Sequence, residues 1–438
     1  MKKLSKRKVC LAGLTLFSMF FGAGNLIFPP FLGALAGSSV WISMAGFALT
    51  AIGFPILGVI AVARAGGLPE LAGRVHPRFA SVFTLLIYLS IGPCLAIPRT
   101  ASTSFEMAVM PFLGEGSPGG MVRLFYSVVF FVIACVVAQK PDRLTERLGK
   151  VLTPCLLTLI AVVFVGCVVN PASGYGQPVQ AYARNPLVRG FLEGYLTMDT
   201  IAALNFGIII SLNIQAMGIT EEPAVVRETV RAGLVAGVVL LLVYSALAHV
   251  GAVTGGAVGV SSNGAQTLNQ AVRILFGRPG MVLLAAIFFI ACLNTCIGLI
   301  SCCSKYFCTI LPCFSYRIWS VLFAAVSLVI ANVGLDKILE VSVPVLNAIY
   351  PVAIVLILLS FLFRDGKRWR AVYVSGVALT GTASILLASE QAGVKWLHDM
   401  VAVLPFYSLE LGWVVPAVVG TVAGICYCVC RWGKVFSD

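Results

Sequence analysis

Two short strings in an otherwise apolar chain carry groups able to hold an ion or a polar cargo. One is Phe21-Gly22-Ala23-Gly24-Asn25, followed closely by Pro29-Pro30; the other is Gly194-Tyr195-Leu196-Thr197-Met198-Asp199-Thr200. Gly22 and Gly24 make local unwinding of a helix cheap, and the double proline limits its continuation. A helix opened near 22–25 presents free N–H donors and a positive dipole end, which suits an anionic group such as a carboxylate. Glycines at this spacing also serve plain close packing between membrane helices. An amide and two helix breakers are not needed for packing, and they favour the binding reading.

Asp199 is the second centre, with Thr197, Thr200 and Asn205 nearby. A carboxylate inside a bilayer costs at least about 2 to 3 kcal/mol unless it is paired, protonated or beside a cation. It serves either ion coupling and a substrate ammonium, or a structural pair whose partner is Arg99 in Pro93-Cys94-Leu95-Ala96-Ile97-Pro98-Arg99. Arg99 has a third option, snorkelling to water, and the two prolines predict an irregular backbone around it. Asn294, Thr295, Ser301 and Ser304 offer oxygens that can join freed carbonyls around Na⁺, although hydroxyls bonded to their own helix are commoner. Pro344, Asn347 and Tyr350-Pro351 mark either a gate or a kink.

The elements that must position these residues are transmembrane helices. The 438 residues are 59% hydrophobic and 11% charged, and the mean hydropathy is +1.00, outside the range of soluble domains. A bilayer core needs roughly 20 apolar residues per helical crossing. Twelve such windows lie near 9–33, 40–63, 79–110, 122–139, 151–170, 191–214, 232–254, 281–304, 315–333, 338–362, 371–389 and 412–430. Runs such as 238–248 read as apolar on every side, which excludes the strict alternation of a β-barrel. The fold class is therefore an all-α polytopic membrane protein, one transporter domain over 1–438.

The net charge of +13 orients the chain and does not imply nucleic acid. Of the 30 Lys and Arg residues, 22 fall in alternate connections and at the two ends, beginning with Lys2, Lys3, Lys6, Arg7 and Lys8. Further members are Lys140, Arg143, Arg147 and Lys150 after window four, and Lys434 in the tail. The opposite side holds seven, and Arg99 remains inside a helix. This asymmetry is the positive-inside pattern and places both termini in the cytoplasm of a cell membrane. No small-residue cleavage site follows the first apolar run, so it is retained as a crossing. The fourteen cysteines lie mostly in apolar windows and read as small hydrophobes; Cys426, Cys428 and Cys430 read as packing and not as a metal site. The connections 171–190, 255–280 and 390–411 read as short links holding Pro, Gly, Asn or Ser.

Five crossings separate the two polar strings. A repeat of five helices starts its second copy from the opposite membrane side, giving inverted topology with interrupted helices at the site. The halves then span 1–170 and 191–362, and 371–430 supplies two additional helices. With three His and neither a Walker loop nor a dinucleotide fingerprint, ATP-driven transport and most enzyme chemistry find no support, and no cofactor beyond a coupling ion is implied. A channel would need a continuous polar pore, which these helices do not advertise.

Several blocks together, namely Phe21 to Pro30, Ile97-Pro98-Arg99-Thr100-Ala101, Gly194 to Thr200, Ile290-Ala291-Cys292-Leu293 before Thr295, and Ser342-Val343-Pro344-Val345-Leu346 before Tyr350-Pro351, resemble the bacterial branched-chain amino acid:cation symporters. The resemblance runs in order over nearly the whole chain. It implies inward transport of leucine, isoleucine and valine with Na⁺, H⁺ being the alternative, on a leucine-transporter-like fold with discontinuous helices 1 and 6. It further implies that Gly22, Ala23, Gly24, Asn25, Gly194, Thr197 and Asp199 line the substrate cavity. Phe21, Asn25 and Thr295 then attend the ion, while Arg99, Asp199, Pro344 and Tyr350 act as gate or structural pair. Membrane lipid is the remaining partner. A proton-coupled or uncoupled carrier of another small neutral amino acid is the competing reading. The chain is richer in cysteine than that family leads one to expect.

Overall fold

The computed structural model describes residues 3–113, 119–139, 141–179 and 181–435, the side chains of 141–153 and 432–435 excepted. The charges assigned to Lys2, Lys140, Arg143, Arg147, Lys150 and Lys434 lie outside the described residues. The first half comprises α1 (Lys6–Phe20), α2 (Ala23–Ala36), α3 (Val40–Ala48), α4 (Phe54–Ala65), α5 (Leu68–Gly73), α6 (Pro77–Leu89), α7 (Ala96–Ala108), α8 (Gly119–Ala138) and α9 (Pro141–Val169). The second comprises α10 (Ala181–Arg184), α11 (Pro186–Glu193), α12 (Asp199–Ala216), α13 (Glu222–Val258), α14 (Gly264–Ile310), α15 (Tyr316–Ala331) and α16 (Leu335–Leu362). Then follow α17 (Arg370–Gln391), α18 (His398–Val401) and α19 (Val414–Val435).

All twelve apolar windows fall on helix. Among the described residues, nine stretches are long and apolar enough to cross a membrane, with Pro154–Val169 and Tyr316–Ala331 as shorter apolar helices. Length alone thus does not return the expected twelve. One qualifying stretch, Ala23–Ala65, joins the later part of the first window to the second, and two windows are short.

Local chemistry explains where the helices depart from expectation. The link 255–280 is mostly helical: α13 runs to Val258, and α14 opens at Gly264 behind Asn263, whose Oδ1 accepts the Gln266 N–H at 3.1 Å. That first stretch of α14 buries Leu268, Ala271 and Val272 before the chain turns at Gly277 (φ +61°). The irregularity predicted around Arg99 lies one turn earlier. Ser90–Cys94 is π-helical, with Gly92 and Leu95 non-helical, and Arg99 sits in regular α7. A second π segment, Leu49–Gly53, separates α3 from α4.

Packing sorts the helices into bodies that cut across the two halves of the chain. In one, α13 lies against α1, α2 and α4, while α11 packs on α3 and α12 on α4. In the other, α14 lies against α7, α8, α9 and α15, and the two bodies meet where α14 packs on α2 and α9 on α13. A third group stacks α16 on α17 and α17 on α19. Small residues set the close seams, as they do between membrane helices generally. A Cβ on Gly251 would stand 1.9 Å from the Pro30 carbonyl oxygen, and one on Gly33 would stand 2.0 Å from that of Ala248. Helix α2 is therefore fixed to α13 backbone to backbone.

Candidate functional site

Both polar strings are breaks in helices, and the structure brings them together. In the first crossing, α1 stops at Phe20; Phe21 (φ −74°, ψ 87°) leaves the helical region, Gly22 (φ −116°, ψ −168°) is extended, and α2 starts at Ala23. Asn25 explains the restart, because its Oδ1 accepts the Gly22 N–H at 3.0 Å and caps the new helix. Pro29 and Pro30 inside α2 remove the amides that would normally bond the carbonyls of Asn25 and Leu26.

In the sixth crossing, α11 gives way to a 3-10 turn over Gly194–Thr197, and Met198 adopts a left-handed conformation (φ +65°) before α12 begins at Asp199. A non-glycine residue in that region costs roughly 1 to 3 kcal/mol, so its surroundings must hold it. Thr197 Oγ1 donates to the Gly194 carbonyl at 2.9 Å and accepts the Asp199 N–H at 3.3 Å. Gly194 is required by proximity, since a Cβ there would lie 1.9 Å from Thr50 Oγ1. Thr50, from the π segment, donates to the Phe191 carbonyl at 2.7 Å and takes the Thr200 hydroxyl on its own carbonyl at 2.9 Å.

Asn25 and Asp199 join the two breaks. Asn25 Nδ2 donates to Asp199 Oδ2 at 2.6 Å, and both side chains are 2% exposed. Tyr244 of α13 donates its hydroxyl to the same carboxylate oxygen at 3.1 Å and also meets Asn25 Nδ2. Arg99 does not form the structural ion pair that the sequence left open. Its Nη1 donates to the Leu196 carbonyl at 2.6 Å and Nη2 to that of Thr197 at 3.5 Å, while its Cζ lies 5.3 Å from the Phe28 ring centre. At 5% exposure it does not snorkel. The guanidinium thus answers the negative end of the unwound turn, and Gly24 leaves room for it, since a Cβ there would stand 2.8 Å from Nη2.

Thr295 stands beside the first break: a Cβ on Gly22 would lie 3.5 Å from its Oγ1. That hydroxyl also donates to the Ala291 carbonyl at 3.1 Å, so the common helix-backbone bond and the position beside the break coexist. Tyr350 stacks on Tyr195 with ring centres 4.4 Å apart, on the α11 side of the break, whereas Pro344 lies half-buried nearer the start of α16. On the other side, Phe20 and Phe206 approach to 5.8 Å, and Phe21 stacks on Phe17 at 4.8 Å. Ser304 is drawn away, accepting the Ser320 hydroxyl at 3.1 Å. Cys428 donates its thiol to the Arg368 carbonyl, while Cys426 and Cys430 are exposed.

Sequence reasoning missed Tyr244 and Thr50. Tyr244 sits in the very run, 238–248, that reads as apolar on every side, and its hydroxyl was the available signal. Thr50 lies in an apolar window where a threonine commonly bonds its own backbone.

The family described as "Branched-chain amino acid transport protein" matches residues 5–430. The branched-chain amino acid permease BraB of Bacillus subtilis (strain 168) is 41% identical, over 96% of this chain and 95% of its own length. The branched-chain amino acid transport system 2 carrier protein of Pseudomonas aeruginosa is likewise 41% identical, over 94% of each chain. Among solved structures, the inward-facing conformation of Mhp1 aligns with a TM-score of 0.64 at 13% identity, covering 96% of this chain and 91% of that one. MhsT in complex with L-phenylalanine aligns with a TM-score of 0.54 at 15% identity, covering 97% and 98%. These likenesses show the leucine-transporter-like fold. With its sixth and first crossings broken face to face, and with relatives matched along nearly their full length, the chain belongs to the branched-chain amino acid transport protein family, whose members are membrane carriers and not enzymes.

Proposed function

We propose that this protein imports leucine, isoleucine and valine together with Na⁺ by alternating access, with both termini in the cytoplasm of the cell membrane. The observation that carries the reading is the Asn25–Asp199 contact at 2.6 Å, which places two main-chain breaks against one another in mid-membrane. Irregular backbone is tolerated at that depth where it lines a protein-enclosed or polar site, and the names of the relatives supply the substrate class.

The N–H groups opening α2, with the Arg99 guanidinium pressed against Gly24, receive the substrate carboxylate. Arg99 already occupies the Leu196 and Thr197 carbonyls, so the ammonium falls to Asp199. Thr295 Oγ1 and the freed main chain near Phe21 and Gly22 offer hard oxygen ligands to Na⁺. Substrate and ion thereby share one wall, the first break, which is the physical route for coupling their affinities.

The site is buried, with the Tyr195–Tyr350 stack outward and the Phe20–Phe206 contact inward. Cargo reaches it only when one of these aromatic layers parts. Motion of α1–α4 with α11–α13 against α7–α9 with α14 and α15 has to slide the α2–α14 and α9–α13 contacts, and each moving body draws on both five-helix halves.

Labelled leucine uptake into proteoliposomes tests the proposal. An inward Na⁺ gradient is expected to drive accumulation above the outside level. Accumulation driven only by an H⁺ gradient would transfer the coupling to protons, and uptake indifferent to both would make the protein a facilitator. Tyr244→Phe removes one donor to Asp199 without changing shape. A hydrogen bond to a charged group contributes about 1.5 to 3 kcal/mol, so the half-saturating leucine concentration should rise roughly tenfold with folded yield unchanged. A half-saturation equal to wild type would remove Tyr244 from the site.

A further inference from the structure

The break in the sixth crossing is built against a matching irregularity in the second. Helix α11 lies on α3 and α12 on α4, and the π segment touches the unwound turn. Both seams are close. A Cβ on Gly190 would stand 1.8 Å from the Ser43 carbonyl oxygen, one on Gly46 1.9 Å from that of Leu187, and one on Gly207 2.8 Å from that of Val59. The π segment Leu49–Gly53, which separates α3 from α4, is therefore paired with the turn Gly194–Thr197, which separates α11 from α12. Wide turns of this kind recur at functional positions in helices.

Thr50, fully buried, is the contact between the two. In the π segment the Phe54 N–H reaches past it to the Leu49 carbonyl, and the next residue that could serve the Thr50 carbonyl is Pro55, which has no N–H. A main-chain acceptor freed inside a membrane needs another donor. Thr200 of α12 supplies its hydroxyl at 2.9 Å. The Thr50 hydroxyl goes the other way, to the Phe191 carbonyl of α11 at 2.7 Å. One residue thus grips the chain on both sides of the unwound turn. Asp199 lies between that turn and Thr200, next to left-handed Met198, a conformation that has to be held from outside.

We infer that Thr50 and its π turn are the positioning element that sets the spacing of the two poles of the substrate site, and with it the preference for an α-amino acid. The inference rests on the transport reading above. The carboxylate pole, at the start of α2, is fixed by the seam of α2 on α13. The ammonium pole, Asp199, is fixed only as well as the turn that leads into it. A ligand whose ammonium and carboxylate sit on one carbon fits the gap that Thr50 maintains, and a β-amino acid, one carbon longer between its charges, does not. Thr50 acts on the ligand through Phe191, Thr200 and the turn they bracket.

Equilibrium competition against labelled L-leucine on the purified full chain in Na⁺ tests it. The competitor is β-leucine (3-amino-4-methylpentanoate), an isomer of leucine whose amine sits one carbon further from the carboxylate. Wild type should prefer leucine by at least about tenfold, the scale that one methylene commands. Thr50→Val keeps the shape and removes the hydroxyl. It should weaken leucine binding about three- to tenfold, as loss of one hydrogen bond does, with β-leucine binding nearly unchanged, so that the preference narrows by the same factor. Thr50→Ser keeps the hydroxyl and should keep the wild-type preference. If Thr50→Val does not fold, Thr200→Val decides, since it frees the other side of the turn and should narrow the preference likewise. A purely structural role would lower folded yield and leave the preference of the folded fraction unchanged; that result, or both ligands weakened by one factor, would overturn the inference and leave the transport reading intact. Thr50→Ser behaving like Thr50→Val would overturn it as well, because the hydroxyl would then not be the agent. Equal binding of the two isomers by wild type would show that the site imposes no charge spacing and end the proposal. Wild-type protein that binds no leucine would overturn the transport reading instead.

Discussion

Asparagine in place of Asp199 should lower concentrative leucine uptake by up to about a hundredfold while folded protein is recovered near the wild-type yield. The substitution keeps volume and leaves an amide oxygen able to accept from Asn25 and Tyr244, which now donate at 2.6 and 3.1 Å. Only the charge is lost. A hydrogen bond to a charged group contributes about 1.5 to 3 kcal/mol, and each 1.4 kcal/mol is a factor of ten in an equilibrium constant. A carboxylate that holds the ammonium directly therefore accounts for the hundredfold effect. Uptake by proteoliposomes and size-exclusion profiles of the same preparation check the two halves of the statement. Wild-type uptake by this variant would show that Asp199 is a structural partner of Asn25 and Tyr244 and nothing more.

Arg99→Gln carries the other large expectation, first on stability. The guanidinium closes two carbonyls of the unwound turn from inside the membrane, at 2.6 Å to Leu196 and 3.5 Å to Thr197, and it stands over Phe28. Glutamine is too short and too weak a donor to replace the fork. Main-chain acceptors left without a donor in hydrocarbon are penalised severely, and the turn already carries left-handed Met198. A loss of about 3 kcal/mol is expected, read as a drop of several degrees in the unfolding midpoint in detergent. Arg99→Lys, which retains charge without the fork, should fall between the two. An unchanged midpoint for Arg99→Gln would mean that the carbonyls find other donors. Because the guanidinium is also pressed against Gly24 at the opening of α2, leucine affinity should fall in both variants.

The sequence made the breaks legible because glycine pairs, an amide and a carboxylate inside apolar windows have few structural excuses. Gly22 to Asn25 and Gly194 to Asp199 do form the two discontinuities, and Thr295 does stand by the first. The partners of the charged residues were not legible. Arg99 was one candidate partner for Asp199, opposite charges in a bilayer being drawn to each other, but unwinding at Gly194–Thr197 released carbonyls, which no sequence pattern displays, and they took the guanidinium. Tyr244 and Thr50 escaped for a related reason. Each has one hydroxyl in an apolar run, and only tertiary packing decides whether that hydroxyl turns to its own helix or across to another. The helical fold of 255–280 was hidden by glycine and serine, although Asn263 followed by Gly264 is a readable cap.

The neighbourhood of one buried guanidinium and one buried carboxylate fixes the electrical character of the carrier. In the proposed binding mode Arg99 acts as a cation and Asp199 as an anion, so the empty site is neutral and a zwitterionic amino acid leaves it so. Under the proposed coupling, every net charge that crosses belongs to the accompanying Na⁺. The resting voltage then acts on the loaded carrier at about 2.3 kcal/mol per charge for each 100 mV, and the empty carrier returns without electrical work. A cell that keeps its interior negative thus drives leucine inward even when Na⁺ is equal on the two sides.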